Sequence, residues 1–398
     1  MRERGESERV EVGLGPRRID ACVEATLQLR GERGEVFLGM HARNVRVSQT
    51  ARGGRRNTLR GRGYPPTMTE RFEILVVGAG PCGIAVGAAA KRAGLSCVLF
   101  DKGCVTSSLV GYPYYMTFLS TAVLLEVGGV PFTIPDAKPT RREALAYYRR
   151  VVEHWKLDVR QYEEVVEVGG SEGAFTVRTR RARGEEATYG AAAVVVATGG
   201  FDEPRWLGVP GEDLDKVRHY YKEPYPYFGQ DVLVVGGSNS AVEAALELYR
   251  NGARVTMVHF LDVLDRGVKS WVLPDIKNRL EKGEIPAYWG HRVAEIRPRF
   301  VVLRAEGGGA ETEIANDFVL AMTGWRANNR TLEQLGVAIE ETTGIPSHDP
   351  AAMVTNVPGV YLAGVIAAGH DANKIFIENG REHGELIVAH RLSKTRSG

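Results

Sequence analysis

The chain has little of the chemistry that builds disulfide frameworks or metal centres. It carries four cysteines, Cys22, Cys82, Cys97 and Cys104, and no pair stands in a CxxC or CxxxxC spacing. That argues against a disulfide framework and fits a reducing cytoplasm. Its nine histidines are scattered without ligand spacing, so no metal site is expected. No apolar run approaches the length of a membrane span. The first residues alternate Arg and Glu with no apolar stretch behind them, so no signal peptide is expected either. Net charge is small as well, +2 over 398 residues, with 43% hydrophobic and 25% charged residues. This is the composition of an ordinary globular protein with material for two or more domains.

The small net charge hides an uneven distribution. Residues 1–67 hold 14 Arg, no Lys and 8 acids, a net of +6, which leaves 37 basic against 41 acidic groups elsewhere. Residues 51–63, ARGGRRNTLRGRG, are basic and of low complexity, with little to bury. Disorder is expected over 1–67, apart from a short element around 22–29. An RNA-binding arm is one reading of this segment. A transit peptide is another, and the 8 acids argue against it. The favoured expectation is a natural start at Met68, a few residues before the first strand, as is usual for the fold read below. The mildly acidic remainder gives no reason to expect nucleic acid or a membrane as partner.

What the chain does have is glycine in the right places. Residues 72–83 read FEILVVGAGPCG, a short apolar run feeding into Gly78, Gly80 and Gly83. The run predicts a buried parallel strand, and an Ala-rich helix over 84–93 follows it. Gly78 permits the tight turn, Gly80 lets the backbone approach a pyrophosphate, and Gly83 lets the helix pack close to the strand. The helix start adds unpaired N–H groups and a positive dipole end for phosphates. Asp101 closes the next strand, 18 residues beyond Gly83, where an acid would hold a ribose hydroxyl pair.

A second copy begins at Asp231, DVLVVGGSNSAVEAALELYRNGARVTMVHF, 158 residues after the first. Gly236, Ser238 and Ala241 take the three glycine positions, with Gly237, Asn239 and Ser240 between them. Two such motifs predict two Rossmann-like (FAD/NAD(P)-binding, three-layer ββα) domains in an α/β fold. The residue 18 beyond Ala241 is His259, not an acid, and Arg266 and Lys269 stand nearby. Basic groups there accommodate the 2′-phosphate of NADPH, whereas an acid would select NAD.

Between the copies, residues 101–139 form a long aromatic loop broken by Pro113, Pro131, Pro135 and Pro139. Such a loop usually covers a ligand. A helix is expected over 140–155, with Thr140 as N-cap and Glu143 completing a capping box. Strands are expected over 159–168, 174–180 and 186–196, the last running into Gly199 and Gly200, where backbone can approach a ligand. Further strands are expected over 317–325 and 360–363, the latter ending in Gly364. A closing helix is expected over 372–392 with Asp371 as N-cap. The organisation read from this is an extension (1–67), a first part of an FAD-binding domain (68–222), an NADPH-binding domain (223–322) and a second FAD-binding part (323–398).

The blocks GAGPCG, YPYYMTFLST, VPFTIPDAKPTRREALAYYRRV, HYYKEPYP, VLVVGGSNSAVEAAL, SWVLPDI and IFIENGREHG together resemble one group of two-dinucleotide-binding flavoprotein reductases. That group is the bacillithiol disulfide reductases, often labelled the YpdA family, which are similar to thioredoxin reductase. The resemblance covers about residues 73–391 and leaves out 1–67. It implies FAD in the first fold, NADPH in the second, and electron transfer from reduced flavin to the disulfide of a low-molecular-weight thiol such as bacillithiol. It implies a cytoplasmic homodimer. By their place in the motif, Gly78, Gly80, Pro81, Cys82 and Gly83 would face the FAD pyrophosphate. Asp101 would hold the adenosine ribose, Lys102, Val165 and Gly199 would belong to the same flavin site, and Gly364 and Val365 would approach the pyrophosphate or ribitol. This chain departs from the wider superfamily in two ways. Val365 stands where an acid is usual, and the usual dithiol is missing.

The electron path therefore cannot run through a cysteine pair. Cys82 opens the first helix, where the dipole favours a thiolate, and it is the candidate catalytic thiol. It is also a good small residue for a tight loop. Cys104 is the competing thiol, and Cys97 reads as core. His219 and His370 are candidate proton donors. Tyr112, Tyr114 and Tyr115 read as pocket-shaping residues. A flavin monooxygenase, a ferredoxin–NADP reductase and a non-catalytic flavin-based redox sensor remain as competing readings.

Overall fold

The computed structural model describes residues 70–397, so the expectations for the extension lie outside the described residues. Strand β1 (Arg71–Val77) buries its last four residues at the heart of a nine-stranded sheet. Its neighbours are β2 (Cys97–Asp101) and β6 (Glu186–Val196), both parallel to it. Beyond β2 lies β3 (Asp158–Gln161), and beyond β6 lie β19 (Val360–Leu362), β18 (Val354–Thr355) and β17 (His348–Asp349). Antiparallel β4 (Glu163–Gly169) and β5 (Phe175–Arg181) branch from β6. This sheet thus draws on both ends of the described chain. Central strands buried on both faces explain why β1 and β6 read as unbroken apolar runs.

Helix α1 (Pro81–Arg92) follows β1 and packs on α3 (Arg141–Trp155) and α8 (His383–Ser397). The capping box at the start of α3 is formed: Thr140 Oγ1 accepts the Glu143 N–H, and Glu143 Oε2 accepts the Thr140 N–H at 2.8 Å. Such a cap contributes about 1 kcal/mol. Two short helices, α2 (Ser107–Val110) and α6 (Arg330–Gln334), lie at the edges of this unit, and the Gln334 side chain bonds the Val168 N–H of β4.

The second sheet is wholly parallel, in the order β11 (Ala287–Trp289), β10 (Arg254–His259), β9 (Asp231–Val235), β15 (Phe318–Ala321), β8 (Val217–Arg218). Its helices are α4 (Asn239–Arg250) and α5 (Leu273–Glu281). An antiparallel sheet of β12 (His291–Ile296), β13 (Phe300–Ala305) and β14 (Thr312–Ala315) packs beside it. The chain passes between the two parallel sheets where β7 (Glu203–Pro204) pairs with β16 (Trp325–Arg326).

Three elements expected as continuous are broken, each for a local reason. The strand over 159–168 divides at Tyr162, which holds φ 56° and donates its N–H to the Gly103 carbonyl. The strand over 317–325 divides into β15 and β16, with Gly324 at φ 90° between them. The closing helix is interrupted before α7 (Ile377–Gly380), because Phe376 is extended and its N–H is taken by Asn379 Oδ1 at 2.7 Å, and α8 follows from His383.

Candidate active site

The first glycine turn joins β1 to α1. Gly78 holds φ 111°, and a Cβ there would run into the Ala197 carbonyl at the end of β6. A Cβ on Gly83 would overlap the Gly78 carbonyl, so helix and turn touch directly. Gly80 differs from both. Its φ is −74°, open to any residue, and a Cβ there would meet nothing within 4 Å. The space over Gly80 is open at the start of α1, which no side chain caps, and a helix start left this way suits a pyrophosphate. Gly199, at φ 82°, likewise faces open space, and the neighbouring Thr198 hydroxyl is buried with no partner among the described residues. The residues present therefore fit an anionic dinucleotide.

Asp101 ends β2 and is more deeply engaged than its place in the motif suggests. Its Oδ2 accepts the Ala79 N–H at 2.9 Å, and its Oδ1 accepts the Gly103 N–H at 2.8 Å and the Ser107 hydroxyl at 3.0 Å. Each carboxylate oxygen has two acceptor positions, so Oδ2 retains one for a ribose hydroxyl. The same loop is tied back by the N–H of Thr106, itself at φ 54°, to the Ala79 carbonyl. Lys102 reaches across to Asp202 at 2.5 Å. Val165 lies half-buried beside an irregularity in the β4–β5 pairing.

Cys82 is the second residue of α1. A Cβ added to Gly364 would stand 2.8 Å from its Sγ, and one added to Gly380 would stand 2.9 Å away. The sulfur is therefore seated between two glycines, one just past β19 and one ending α7. Burial pushes its thiol up to about 12, so desolvation outweighs the helix start that was expected to lower it. A Cβ added to Gly200 would stand 3.4 Å from Val365 Cγ1, so Val365 lies over that glycine. Cys97 is buried in the core and Cys104 is half-buried in the loop. Tyr112 is half-buried with its ring edge-on to Phe201, while Tyr114 and Tyr115 are exposed. His219 is half-buried against Trp206 and 3.5 Å from Glu212, and His370 is exposed beside Gly344.

The second turn repeats the first with different contacts. Gly236 holds φ 134°, and Ser238 starts α4 without capping it through its hydroxyl. Ala241 is fully buried and Ser240 is exposed. His259 does not stand among surface cations. Its ring lies directly beneath Gly237, and it is only 4% exposed. Burial lowers its pKa although Asp265 Oδ1 lies 3.4 Å away, so the ring is neutral at pH 7. Asn239 clasps the following loop, accepting the Lys269 N–H and donating to the Gly267 carbonyl. That brings exposed Arg266 and half-buried Lys269 to the mouth of the turn, where they suit a phosphate monoester. Lys269 Nζ also lies 5.7 Å from the centre of the Phe376 ring, just before α7. A cavity of about 410 Å³ opens elsewhere, at the starts of β9 and β10 against Asp231, Arg254 and Asn316, away from this turn.

Sequence reasoning passed over Gly380 and His383. His383 Nδ1 accepts the Gly364 N–H at 3.1 Å, and the next residue, Gly384, lies against the Ala85 backbone of α1. A signal was present, since two glycines four apart beside a helical pattern cost stability unless something approaches closely.

Residues 75–364 match the family model described as "Pyridine nucleotide-disulphide oxidoreductase". The chain is 42% identical over 318 residues to the bacilliredoxin reductase Bdr of Bacillus subtilis, covering 80% of this chain and 96% of that one. Among solved structures, the bacillithiol disulfide reductase Bdr (YpdA) from Bacillus cereus matches at 40% identity and TM-score 0.79, over 81% of this chain and 99% of that one. The corresponding Staphylococcus aureus structure matches at 37% identity and TM-score 0.77, over 82% and 99%.

Proposed function

The chain belongs to the pyridine nucleotide-disulphide oxidoreductases, within the bacillithiol disulfide reductase group, and on that premise we propose that it reduces bacillithiol disulfide in the cytoplasm. It is an FAD-dependent thiol-disulfide reductase that draws on NADPH. In the overall reaction NADPH and one proton convert one disulfide into two thiols. Bound FAD supplies the relay, accepting a hydride and releasing two electrons.

The observation that carries the reading is the seat of Cys82, a thiol at the start of α1 with no second cysteine beside it among the described residues. Cys82 is the thiol that meets the disulfide. Its sulfur attacks one sulfur of the substrate, the other half leaves as a thiol, and the two electrons then split the mixed disulfide. Burial holds the resting thiol protonated, so loss of that proton precedes attack and turnover rises with pH. Gly78, Gly80, Pro81 and Gly83 take the FAD pyrophosphate. Asp101, Lys102, Val165, Gly199, Gly364 and Val365 line the rest of the flavin site. Gly236, Gly237, Ser238, Asn239, Ser240 and Ala241 take NADPH, with Arg266 and Lys269 on its 2′-phosphate. His259 supports that turn from beneath by packing, not by charge. The FAD-binding unit spans 68–222 and 323–398 and the NADPH-binding unit 223–322, and the protein is a homodimer, which light scattering on the purified chain tests.

The reading is tested by anaerobic NADPH oxidation on the FAD-loaded chain with bacillithiol disulfide. Sustained turnover is expected, and Cys82→Ala should lower it roughly 100-fold while leaving flavin reduction by NADPH intact. A flavin that reduces once and stays reduced until oxygen or ferredoxin arrives would overturn the substrate. An unimpaired Cys82→Ala would reassign the thiol as packing.

A further inference from the structure

Gly364 sits where β19 has ended. The N–H of Ala363 still bonds the Val196 carbonyl of β6, but the N–H of Gly364 has left the ladder. The residue holds φ 79° and ψ −156°, a conformation essentially reserved for glycine. A backbone donor in such a place needs a partner, because an unpaired one is costly once removed from water. The partner is His383 Nδ1, 3.1 Å away, on the first residue of α8.

The surroundings make that bond a junction. Cys82 Sγ and Cβ occupy the space where a side chain on Gly364 would be, and a Cβ on Gly380 would meet both that sulfur and the Gly364 Cα. Gly384 lies so close to Ala85 that a Cβ there would stand 2.7 Å from its carbonyl. The start of α8 is thus locked to α1, and α1 carries Cys82. We propose that His383 is a positioning residue which, by accepting the Gly364 N–H, fixes both the seat of the Cys82 sulfur and the turn presented to the flavin. The role rests on the reading of Gly364 and Cys82 as flavin-facing. It requires a neutral imidazole in the Nε2–H tautomer, since only then does Nδ1 offer a lone pair. Burial and the nearby His348 keep the ring neutral, lowering its pKa to about 4.

The test compares His383→Asn, whose amide oxygen can stand in for Nδ1, with His383→Leu, which fills space without accepting. Two quantities are read: the rate at which iodoacetamide alkylates Cys82 in the apoprotein, followed by peptide mass, and the affinity for FAD, followed by flavin fluorescence. His383→Leu should alkylate about tenfold faster and bind FAD about tenfold more weakly, while His383→Asn stays within about twofold of the parent. Parent-like behaviour of His383→Leu overturns the proposal, and so does equal damage in both variants. Should His383→Leu fail to fold, nitrogen NMR of the unaltered protein decides instead. An Nδ1 that is unprotonated and hydrogen-bonded supports the role, and an Nδ1–H tautomer removes it. None of these readouts involves disulfide turnover, so a wrong substrate and a wrong role for His383 give different results.

Discussion

The two glycine turns of this chain make the same bend with opposite supports. In the first, Gly83 touches the Gly78 carbonyl, and the Asp101 carboxyl group gathers three donors from the turn and the loop beyond it. In the second, Ala241 replaces the third glycine, and the neutral ring of His259 lies under Gly237. Both turns keep a positive φ at their first glycine, Gly78 and Gly236. The shared feature is therefore backbone conformation. The differing feature is what lies around the turn: a carboxylate that organises backbone donors in one, a packed ring with cations at the rim in the other. A dinucleotide fold can be specialised without altering its turn.

The sharpest way to break this comparison is at the third position. Gly83→Ala should cost about 3 kcal/mol and yield protein without flavin, because neither the helix nor the turn can yield. Ala241→Gly should cost only about 1 kcal/mol, an effect of backbone freedom. Thermal denaturation with flavin stoichiometry reads both, and equal losses would mean the two turns are packed alike. Next come the two imidazoles, half-buried His383 behind the first turn and buried His259 beneath the second. The unfolded chain protonates His383 near its ordinary 6.5 and the fold only at about 4. The unfolded state therefore binds the extra proton, and stability falls as pH drops through that window and is level above it. The full shift is reduced by solvent contact of a half-buried ring, leaving about 2 kcal/mol. Urea midpoints of the parent and His383→Asn, compared across that range, isolate the contribution.

Asp101→Asn should weaken FAD about tenfold, because an amide presents one acceptor oxygen where three donors converge. Asp265→Asn, beside the His259 ring under the second turn, should change NADPH binding by less than about twofold. Fluorescence titration of each nucleotide separates the two. The smallest effect is expected at the rim. Arg266→Ala should raise the KM for NADPH about fivefold and leave that for NADH unchanged. An equal rise for both would place Arg266 on the pyrophosphate and blur the distinction between the turns.

Much of this was legible in the chain itself, because it depended on neighbours close in sequence. The positive φ at Gly78, the packing of Gly83 on the Gly78 carbonyl and the Thr140–Glu143 capping box all come from residues within a few positions of one another. The breaks at Tyr162 and Phe376 were not legible. Each depends on where one backbone N–H finds its acceptor, the Gly103 carbonyl in one case and Asn379 Oδ1 in the other. His259 was legible as the residue that replaces the acid, but not as a buried ring, since strand position alone does not tell whether a side chain goes over the turn or beneath it. His383 was hidden because its partner is a backbone group 19 residues upstream, and a main-chain N–H leaves no letter in the sequence.

Gly380 leaves such a letter. It is absent from the residues with positive φ, so its backbone would accept any side chain, and what forbids one is the Cys82 sulfur on one side and Gly364 on the other. Positions 82 and 380 are therefore a single steric decision made 298 residues apart. A descendant of this chain that acquired alanine at 380 would have to surrender the sulfur at 82 or reshape the helix between. In any lineage the two positions should change together.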